Sequence, residues 1–281
     1  MNRKIWVFPV LLILFSLLSM APVSNGPDWK KLDSGLEYLL IDAPVKSSHN
    51  NSKIDVLRFD PKKFKLNLLC AAEKKSKGKN IDDWCKQNAA LAGVNAGMFK
   101  LEGSCDVSTG YMKNGAYINN PSLNLSYKLV LAFNAKDSSV APIQLIDLTC
   151  QDWNKLRDKY NCFSQGIRMM DCDGKNTWQL QEKKWSVVTI AEDKSGNMLF
   201  IFCRSPYRMH DYINMLKKLP LNLKKMMYLE GGPEASFYLN TGDTIVQKYG
   251  SYETDFNEND DNSNYWSIPN VLALTKIVVN Q

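Results

Sequence analysis

The sequence contains only two histidines, His49 and His210, and no Cys-x-x-Cys pair. Zinc sites use these ligand types at short spacings, so the sequence argues against a zinc enzyme. A cysteine nucleophile would need a histidine partner, for which His210 is the only suitable candidate, and we expect none. The sequence also lacks an internal repeat, a low-complexity tract and a strong block of lysine and arginine. These absences argue against a repeat protein and against nucleic acid as a partner.

Long apolar runs are absent except near the N-terminus, where Ile5 to Leu18 follows the basic pair Arg3 and Lys4. The run is short for a membrane-spanning helix, and small residues follow it. The pattern predicts a signal peptide over residues 1–26, and a secreted or periplasmic protein with one domain over residues 27–281. An uncleaved N-terminal anchor is the alternative. Removing the signal peptide takes two positive charges from the net +6 and leaves +4, which is mildly basic.

Cysteine is present in an odd number, and every copy lies after the predicted signal peptide. In an oxidising compartment some of them should pair, and at least one must stay free. The spacing does not determine which ones pair. The seven positions are Cys70, Cys85, Cys105, Cys150, Cys162, Cys172 and Cys203.

Short apolar or alternating runs predict many strands and few helices. The predicted strands include Gly35–Val45, a β-hairpin or a pair of separate strands within Ile54–Leu69, Ala89–Val94, Tyr127–Ala135, Pro142–Leu148, Trp185–Ala191, Asn197–Cys203 and Ile268–Val279. Helical spacing occurs in Asn80–Asn88, Cys150–Tyr160 and Tyr212–Leu219. Without regular alternation of strand and helix, this pattern predicts an α+β fold: a large, mostly antiparallel or mixed twisted sheet with a few flanking helices.

The stretch from Met226 to Leu239 organises the candidate site. Four apolar residues lead to Glu230 and the glycine pair Gly231-Gly232, and apolar residues resume at Phe237. The pattern predicts an acid at a strand end, on a turn whose glycines permit positive φ and close approach of a ligand. The segment from Glu230 to Ser236 is called the glycine corner below.

Other polar residues also stand at predicted strand ends. Asn95, Thr109, Arg168, Arg204 and Glu230 fit the lining of one pocket, since loops at strand ends carry binding groups. The planar fork of an arginine suits phosphate and carboxylate oxygens. For each arginine taken singly, a surface salt bridge is the alternative.

The acidic loop near the C-terminus suggests a metal site only in part. Asp255, Asn257 and Asn259 alternate like the start of a calcium-binding loop. The sixth position, however, is Asp260 instead of glycine, and the twelfth is Trp266 instead of glutamate. We therefore expect a solvated loop and no metal or cofactor, with a looser calcium site as the alternative.

Five motifs occur together in a characteristic order. They are Asn95-Ala96-Gly97-Met98-Phe99, Ser108-Thr109-Gly110, Phe163-Ser164-Gln165-Gly166-Ile167-Arg168, Phe202-Cys203-Arg204-Ser205-Pro206 and Tyr228-Leu229 followed by the glycine corner. From Asn95 to the C-terminus the chain thus resembles the phosphodiester glycosidase family, most closely its bacterial exported members. Animal members have Asn-Gly-Gly at the first motif and Asp-Gly-Gly-Gly-Ser at the last, where this chain has Glu230-Gly231-Gly232-Pro233-Glu234.

The resemblance implies an exported hydrolase that cleaves a glycosyl phosphodiester or a related envelope glycan. Such cleavage passes through a state like an oxocarbenium ion. On this reading the Glu230 carboxylate activates water or stabilises the cation, and Glu234 is the second candidate acid. The remaining catalytic candidates are Asn95, which would hold sugar or phosphate oxygens, Arg168 and Arg204, which would hold the phosphate, and His210, which would relay a proton or orient Arg204. The substrate-binding candidates are Gly97, Phe99, Thr109, Gly110, Gln165, Gly231, Gly232, Glu234 and Ser236.

Two other functions fit the same residues. The first is a non-catalytic protein that binds a glycan or the cell envelope and keeps the pocket without turnover. The second is an envelope structural domain that binds no small ligand. The sequence leaves open the sugar, the stereochemical outcome, the disulfide pairing and the oligomeric state.

Overall fold

The structure, a computed structural model, describes residues 26–102 and 105–278. Except for Gly26, the predicted signal peptide lies outside the described residues, so it stays a prediction. The strands are β1 Lys30–Asp33, β2 Leu36–Asp42, β3 Lys53–Phe59, β4 Phe64–Cys70, β5 Ala92–Asn95, β6 Phe99–Glu102, β7 Cys105–Ser108, β8 Met112–Asn114, β9 Tyr117–Asn120, β10 Lys128–Ala135, β11 Ile143–Asp147, β12 Tyr160–Arg168, β13 Trp185–Asp193, β14 Met198–Tyr207, β15 Leu223–Gly231, β16 Ser236–Asn240, β17 Ile245–Tyr249 and β18 Asn270–Lys276. The helices are α1 Ile81–Gln87, α2 Trp153–Leu156 and α3 Met209–Lys218, with 3₁₀ turns at Arg157–Lys159 and Gly232–Glu234.

Most strands belong to one of two antiparallel sheets. The larger has the order β1-β2-β3-β14-β13-β15-β12-β10-β11, and β8 and β9 extend from β12. The smaller has the order β17-β16-β5-β18-β4, and β6 and β7 form a separate hairpin. The prediction of a mostly antiparallel β structure with few helices is therefore confirmed. A second sheet was not predicted.

The main core lies between the two sheets. One face of each sheet contributes its apolar residues, such as Phe200 and Leu229 from the larger sheet and Leu272 and Phe237 from the smaller. Alternation along the strands places the other side chains on the outer faces. Helix α3 covers the outer face of the larger sheet through residues such as Ile213 and Leu216. Helix α1 covers the smaller sheet through Trp84.

The segment Ile54–Leu69 contains two strands that do not pair with each other. Strand β3 pairs with β14 and β2 in the larger sheet, and β4 pairs with β18 in the smaller one. The turn at Asp60-Pro61 therefore carries the chain from one sheet to the other. Of the two sequence readings, the pair of strands is confirmed and the hairpin is wrong.

The three predicted helices are present with different bounds: α1 and α2 are shorter than their patterns, whereas α3 begins at Met209, three residues before its pattern. Within Cys150–Tyr160 the α-helix covers only Trp153–Leu156, and a 3₁₀ turn completes the segment. The described residues contain no helix with the length and apolar character needed to cross a bilayer.

One disulfide is present among the described residues, between Cys150 and Cys172. It joins the loop after β11 to the loop after β12 and encloses a chain segment of 22 residues. Four other cysteines are buried free thiols: Cys70, Cys85, Cys162 and Cys203. The pairing, which spacing alone did not determine, fastens the loop that follows Arg168.

We expect removal of this disulfide by the double substitution Cys150→Ser and Cys172→Ser to lower the free energy of unfolding by about 3 kcal/mol. A crosslink closing a loop of this length restricts the unfolded chain by roughly that amount. Chemical denaturation of both proteins, with and without reductant, measures the change. Reductant should destabilise only the wild type, and equal midpoints for wild type and double variant would contradict the expectation.

Candidate active site

The glycine corner carries the chain from the larger sheet to the smaller one. Strand β15, which pairs with β13 and β12, ends at Gly231. The 3₁₀ turn Gly232–Glu234 follows, and Ser236 begins β16 in the smaller sheet. Glu230, one residue from the end of β15, therefore lies where the two sheets meet. The predicted acid at a strand end is present at this place.

Both glycines of the corner are required by their surroundings. A side chain at Gly231 would collide with the hydroxyl of Tyr228 and the indole of Trp185. Gly232 has φ +65°, a left-handed conformation, and a Cβ there would overlap the carboxylate of Glu253. Larger residues at either position would displace an acid or an aromatic ring.

Three carboxyl groups meet at the corner: Glu230, Glu234 and Glu253, here called the acid cluster. Burial raises the pKa of Glu230 to about 8, and repulsion from Glu234 and Glu253 acts in the same direction. The backbone N–H of Gly231, 3.1 Å from Oε1 of Glu230, opposes the shift. Glu230 nonetheless keeps partial contact with solvent. At neutral pH its carboxyl is therefore mainly protonated.

The other two members of the acid cluster are also partly exposed. Burial is the main cause that raises the pKa of Glu234, and repulsion from Glu253 adds to it. Burial likewise raises the pKa of Glu253, against the attraction of Lys183. Neighbouring like charges of this kind cannot all ionise without cost, so the cluster holds its protons at higher pH than isolated glutamates.

Aromatic rings form one wall beside the acid cluster. The ring of Trp178 lies 5.6 Å from that of Tyr228 and 6.2 Å from that of Trp185. Burial raises the pKa of Tyr228, and Glu230, Glu253 and Glu234 raise it further, so its hydroxyl stays protonated. None of these three rings was predicted from the sequence to belong to the site.

Glu253 was also missed from the sequence. It stands in the polar loop after β17, which gave only a weak calcium pattern. A bridge between Trp185 and Glu253 brings it to Gly232, together with backbone hydrogen bonds from Thr254 to the carbonyl of Lys184 and from Ser186 to the carbonyl of Tyr252. No local motif marks Glu253, because its position depends on a contact between segments almost 70 residues apart.

Asn95 and Ser236 support the corner from inside. The amide nitrogen of Asn95 donates to the carbonyl of Glu234 at 3.0 Å, and its Oδ1 accepts from the N–H of Ser236 at 2.7 Å. The hydroxyl of Ser236 donates to the carbonyl of Glu234 at 2.9 Å. Both side chains are buried and occupied by these bonds. The structure thus places them against the turn that carries Glu234, and their predicted contact with substrate stays a prediction.

The other predicted binding residues occupy a neighbouring corner. Gln165 is buried, and its amide bonds the backbone of Tyr111 and Asn124. A Cβ at Gly110 would lie 3.0 Å from that of Gln165, and Gly97 has φ +142° beside Ser164. The backbone and hydroxyl of Thr109 donate to the carbonyl of Met98, and Phe99 begins β6 and is partly exposed.

Arg168 has a carboxylate partner away from Glu230. Its Nη1 donates to both oxygens of Asp147, at 3.2 and 3.0 Å, and to the hydroxyl of Thr149 at 2.8 Å. Asp147 also lies near Cys150 and Cys172 with spacing that could suit a metal, but their sulfurs are joined in the disulfide. Arg168 therefore anchors the loop after β11.

Arg204 uses all three guanidinium nitrogens, two of them to bind the acidic loop and one to bind the end of β17. Nε donates to Oδ1 of Asp260 at 2.8 Å, Nη1 to the carbonyl of Tyr249, and Nη2 to the carbonyls of Asp260 and Asn262. Strand β13 separates Arg204 on β14 from Glu230 on β15. The groups that shift the pKa of Glu230 are carboxyls and a backbone N–H. The expected arrangement of an acid surrounded by arginines is thus replaced by a cluster of acids.

His210 is not brought to Arg204. It lies on α3, where its Nδ1 is 3.5 Å from Asp211 and 3.4 Å from the side-chain amide of Asn214. Its backbone carbonyl accepts from Asn176, in the segment that precedes Trp178. These contacts place its ring on the outer helix, so the suggested proton relay receives no geometric support.

We expect Arg204→Lys to lower the free energy of unfolding by about 2–3 kcal/mol, because one ammonium cannot replace a fork that serves Asp260 and three carbonyls. Arg208→Lys is the matched control. Arg208 pairs with the partly exposed Asp211 and the exposed Glu182, so its substitution should cost less than about 1 kcal/mol. Urea denaturation measures both, and equal effects would contradict the anchoring role of Arg204.

Comparisons with known proteins agree on one family and one fold. The family model for phosphodiester glycosidase matches residues 88–275. The catalytic domain of zebrafish N-acetylglucosamine-1-phosphodiester alpha-N-acetylglucosaminidase, auto-inhibited by its pro-peptide, has a similar structure, with a TM-score of 0.61 and 12% identity over 89% of this chain and 86% of that one. A search of curated proteins finds no match.

Two bacterial structures share the fold as well. A hypothetical protein from Synechocystis has a TM-score of 0.59 and 11% identity, over 85% of this chain and 62% of that one. A protein from Burkholderia pseudomallei described as exported has a TM-score of 0.51 and 10% identity, over 79% of this chain and 73% of that one. At these identities the likeness concerns the fold.

Proposed function

Because this chain belongs to the phosphodiester glycosidase family, we propose that it is a hydrolase that cleaves the bond between a sugar and a phosphodiester. The observation that carries the proposal is the acid cluster at the glycine corner. Glycosidases use two carboxyl groups in different protonation states. Here Glu230 has a pKa near neutrality, and Glu234 and Glu253 supply neighbouring carboxyls.

The raised pKa of Glu230 changes the role we assign to it. From the sequence we expected ionised Glu230 to activate water or stabilise the cation. A carboxyl with a pKa of about 8, however, is mainly protonated at neutral pH. We propose that Glu230 donates its proton to the departing phosphate oxygen. This proton matters here because the nearby groups are acids, so a departing phosphate anion would otherwise meet repulsion.

The complementary role falls to an ionised member of the acid cluster. Glu234 or Glu253 takes a proton from water, whose oxygen forms the new bond to the anomeric carbon as the bond to the phosphate oxygen breaks. The products are a free sugar and a phosphomonoester, and the net reaction consumes one water. Glu253 lies against Gly232, and Glu234 ends the 3₁₀ turn that Gly232 begins. Both acids therefore lie close to Gly232, two residues after Glu230.

We also propose that the protein is exported. The predicted signal peptide, the disulfide between Cys150 and Cys172 and the fold shared with a Burkholderia protein described as exported support this location.

A panel of synthetic sugar 1-phosphodiesters, varied in sugar and in anomeric configuration, tests the function. Release of free sugar together with a phosphomonoester supports the hydrolase. Saturable binding without release would support the second candidate, a non-catalytic glycan-binding protein. That alternative is favoured by the internal bonds that occupy Ser236, Gln165 and Arg204.

A further inference from the structure

A cleft opens beside Trp178 of the aromatic wall. It has a volume of about 440 Å³ and is called the Trp178 cleft. Its lining includes Lys128, Ile167, Arg168, Thr177, Trp178 and Gln179. The volume falls within the range of roughly 300–1,000 Å³ that is usual for small-molecule sites.

The cleft adjoins the acid cluster through Tyr228. Ile167, in the cleft lining, pairs directly with Tyr228 across β12 and β15. The ring of Trp178 contacts the ring of Tyr228, and Tyr228 stands two residues before Glu230. The buried side chain of Tyr228 therefore contacts Trp178 in the cleft lining and also interacts with the three carboxyl groups of the acid cluster.

Trp178 is held in a fixed orientation. Its indole N–H donates to the carbonyl of Arg168 at 3.1 Å, and its backbone N–H donates to Oδ1 of Asn176 at 3.0 Å. Two further rings, Trp185 and Tyr228, pack against it. Because the protein uses the polar atom of the ring, what Trp178 offers the cleft is apolar ring surface. A rigid aromatic surface of this kind suits the apolar face of a sugar ring.

The cleft also carries positive charge. Arg168 and Lys128 line it, and no acid is among its lining residues in the described part of the chain. The carboxylate of Asp147 accepts hydrogen bonds from Nη1 of Arg168 and neutralises its charge. Nη2 of Arg168 makes no hydrogen bond to any described residue. The ammonium of Lys128 has no carboxylate within 4.0 Å in the same part of the structure. One positive charge of the cleft is therefore uncompensated.

The backbone of Lys128 is unusual as well. Lys128 has φ +64°, a left-handed conformation that non-glycine residues rarely adopt. Pairing with Ile167 and the hydrogen bond from Leu148 to its carbonyl hold it there.

We propose that the Trp178 cleft binds a pyranose ring that carries an anionic group, either a carboxylate or a phosphate. The ring lies on Trp178, and the anionic group contacts Lys128 and the free Nη2 of Arg168. This rests on the proposed function only in placing the sugar next to the bond that is cleaved. The substrate class is therefore a glycan with an acidic sugar adjoining the scissile linkage.

Binding is measured by calorimetry on the Glu230→Gln protein, in which turnover should be strongly reduced. The ligands are glucuronate, glucose 6-phosphate and uncharged methyl glucoside. We expect both anions to bind more tightly than the neutral sugar, and added salt to reduce that difference. If glucuronate binds and glucose 6-phosphate does not, the anion is a carboxylate, and the reverse result identifies a phosphate.

Two substitutions separate the ring from the charge. Trp178→Ala should weaken all binding ligands by about three- to tenfold, with Trp178→Phe retaining most of the affinity. Lys128→Gln should weaken only the anions, by about fivefold, and remove most of their preference. Trp266→Ala and Lys136→Gln are the controls and should change neither quantity.

If the Glu230→Gln protein, with Trp178 and Lys128 unchanged, binds charged and neutral sugars equally well, the charge assignment is overturned. Unchanged affinity in Trp178→Ala, or no binding of any of these sugars at millimolar concentration, would overturn the site. The hydrolysis panel reports separately on the proposed function. Binding without hydrolysis supports the cleft proposal and rejects the hydrolase. Hydrolysis without any preference for acidic sugars supports the hydrolase and rejects the cleft proposal.

Discussion

Glu230→Gln should lower kcat for sugar phosphodiester hydrolysis by roughly 10²–10⁴-fold, the usual contribution of a positioned general acid. Glutamine keeps the shape of the side chain and a hydrogen-bonding group, but it has no proton to give to the departing oxygen. The corner should keep its structure, because Gly231 can still donate its N–H to the side-chain oxygen. Initial rates of phosphomonoester release measure the effect.

The pH profile of the wild type gives the same prediction an independent test. Glu230 acts in its protonated form, so kcat/KM should fall as the pH rises through about 8, the pKa of this carboxyl. The residual activity of Glu230→Gln should lack that alkaline decline. Glu182→Gln is the matched control, since its side chain is 88% exposed and its ion-pair partner among the described residues is Arg208 at the surface. Near-normal turnover of Glu230→Gln would reject the assigned role.

The strands could be predicted from the sequence because their signals are local. Apolar alternation in Trp185–Ala191 and Asn197–Cys203 indicated β13 and β14 closely, and the structure extends both by a few residues. The division into two sheets depends on pairing between distant segments. Nothing within Ile54–Leu69 shows that β3 pairs with β14 and β4 with β18. Sequence patterns give the faces of strands but not their partners.

The candidate site divides along the same line. Glu230, Gly231 and Gly232 were recognisable because acid, turn and flanking strands are contiguous. Glu253 was not, because its loop reaches the corner through a bridge to Trp185. The arginines were selected for their chemistry, yet Arg204 is occupied by Asp260 and three carbonyls. A sequence shows which side chains could bind an anion, but it does not show which of them the protein already uses.

The corner also explains why this chain departs from the pattern of the animal members of its family. They have glycine and serine where this chain has Pro233 and Glu234. Pro233 stiffens the 3₁₀ turn, and Asn95 fixes the carbonyl of Glu234. In this chain Glu234 therefore contributes a carboxyl to the acid cluster from a turn whose backbone these contacts hold in place. We infer that the extra acid helps to hold a proton on Glu230, since repulsion from Glu234 raises the pKa of Glu230.

The raised pKa of Glu230 lowers the free energy of unfolding by an amount that depends on pH, and Glu230→Gln should remove this penalty. In the unfolded chain the carboxyl has its ordinary pKa near 4.5, whereas in the folded protein the pKa is about 8. The stability that the protonated carboxyl contributes is fully present below the pKa of the unfolded chain. It is lost as the pH rises through the pKa of the folded protein. Wild-type stability should therefore decline between about pH 5 and about pH 8 relative to that of the variant.

At about pH 8 we expect Glu230→Gln to be more stable than the wild type by about 1–3 kcal/mol, less than the full shift implies because the side chain keeps contact with water. The two proteins should converge near pH 5. Urea denaturation at constant ionic strength measures the difference, with Glu182→Gln as the control that should follow the wild type throughout. A variant that loses activity and gains stability would show that the corner keeps a destabilising carboxyl because catalysis needs its proton. A difference that does not change with pH would mean that Glu230 titrates as an ordinary surface acid, and it would remove the basis for its role as the proton donor.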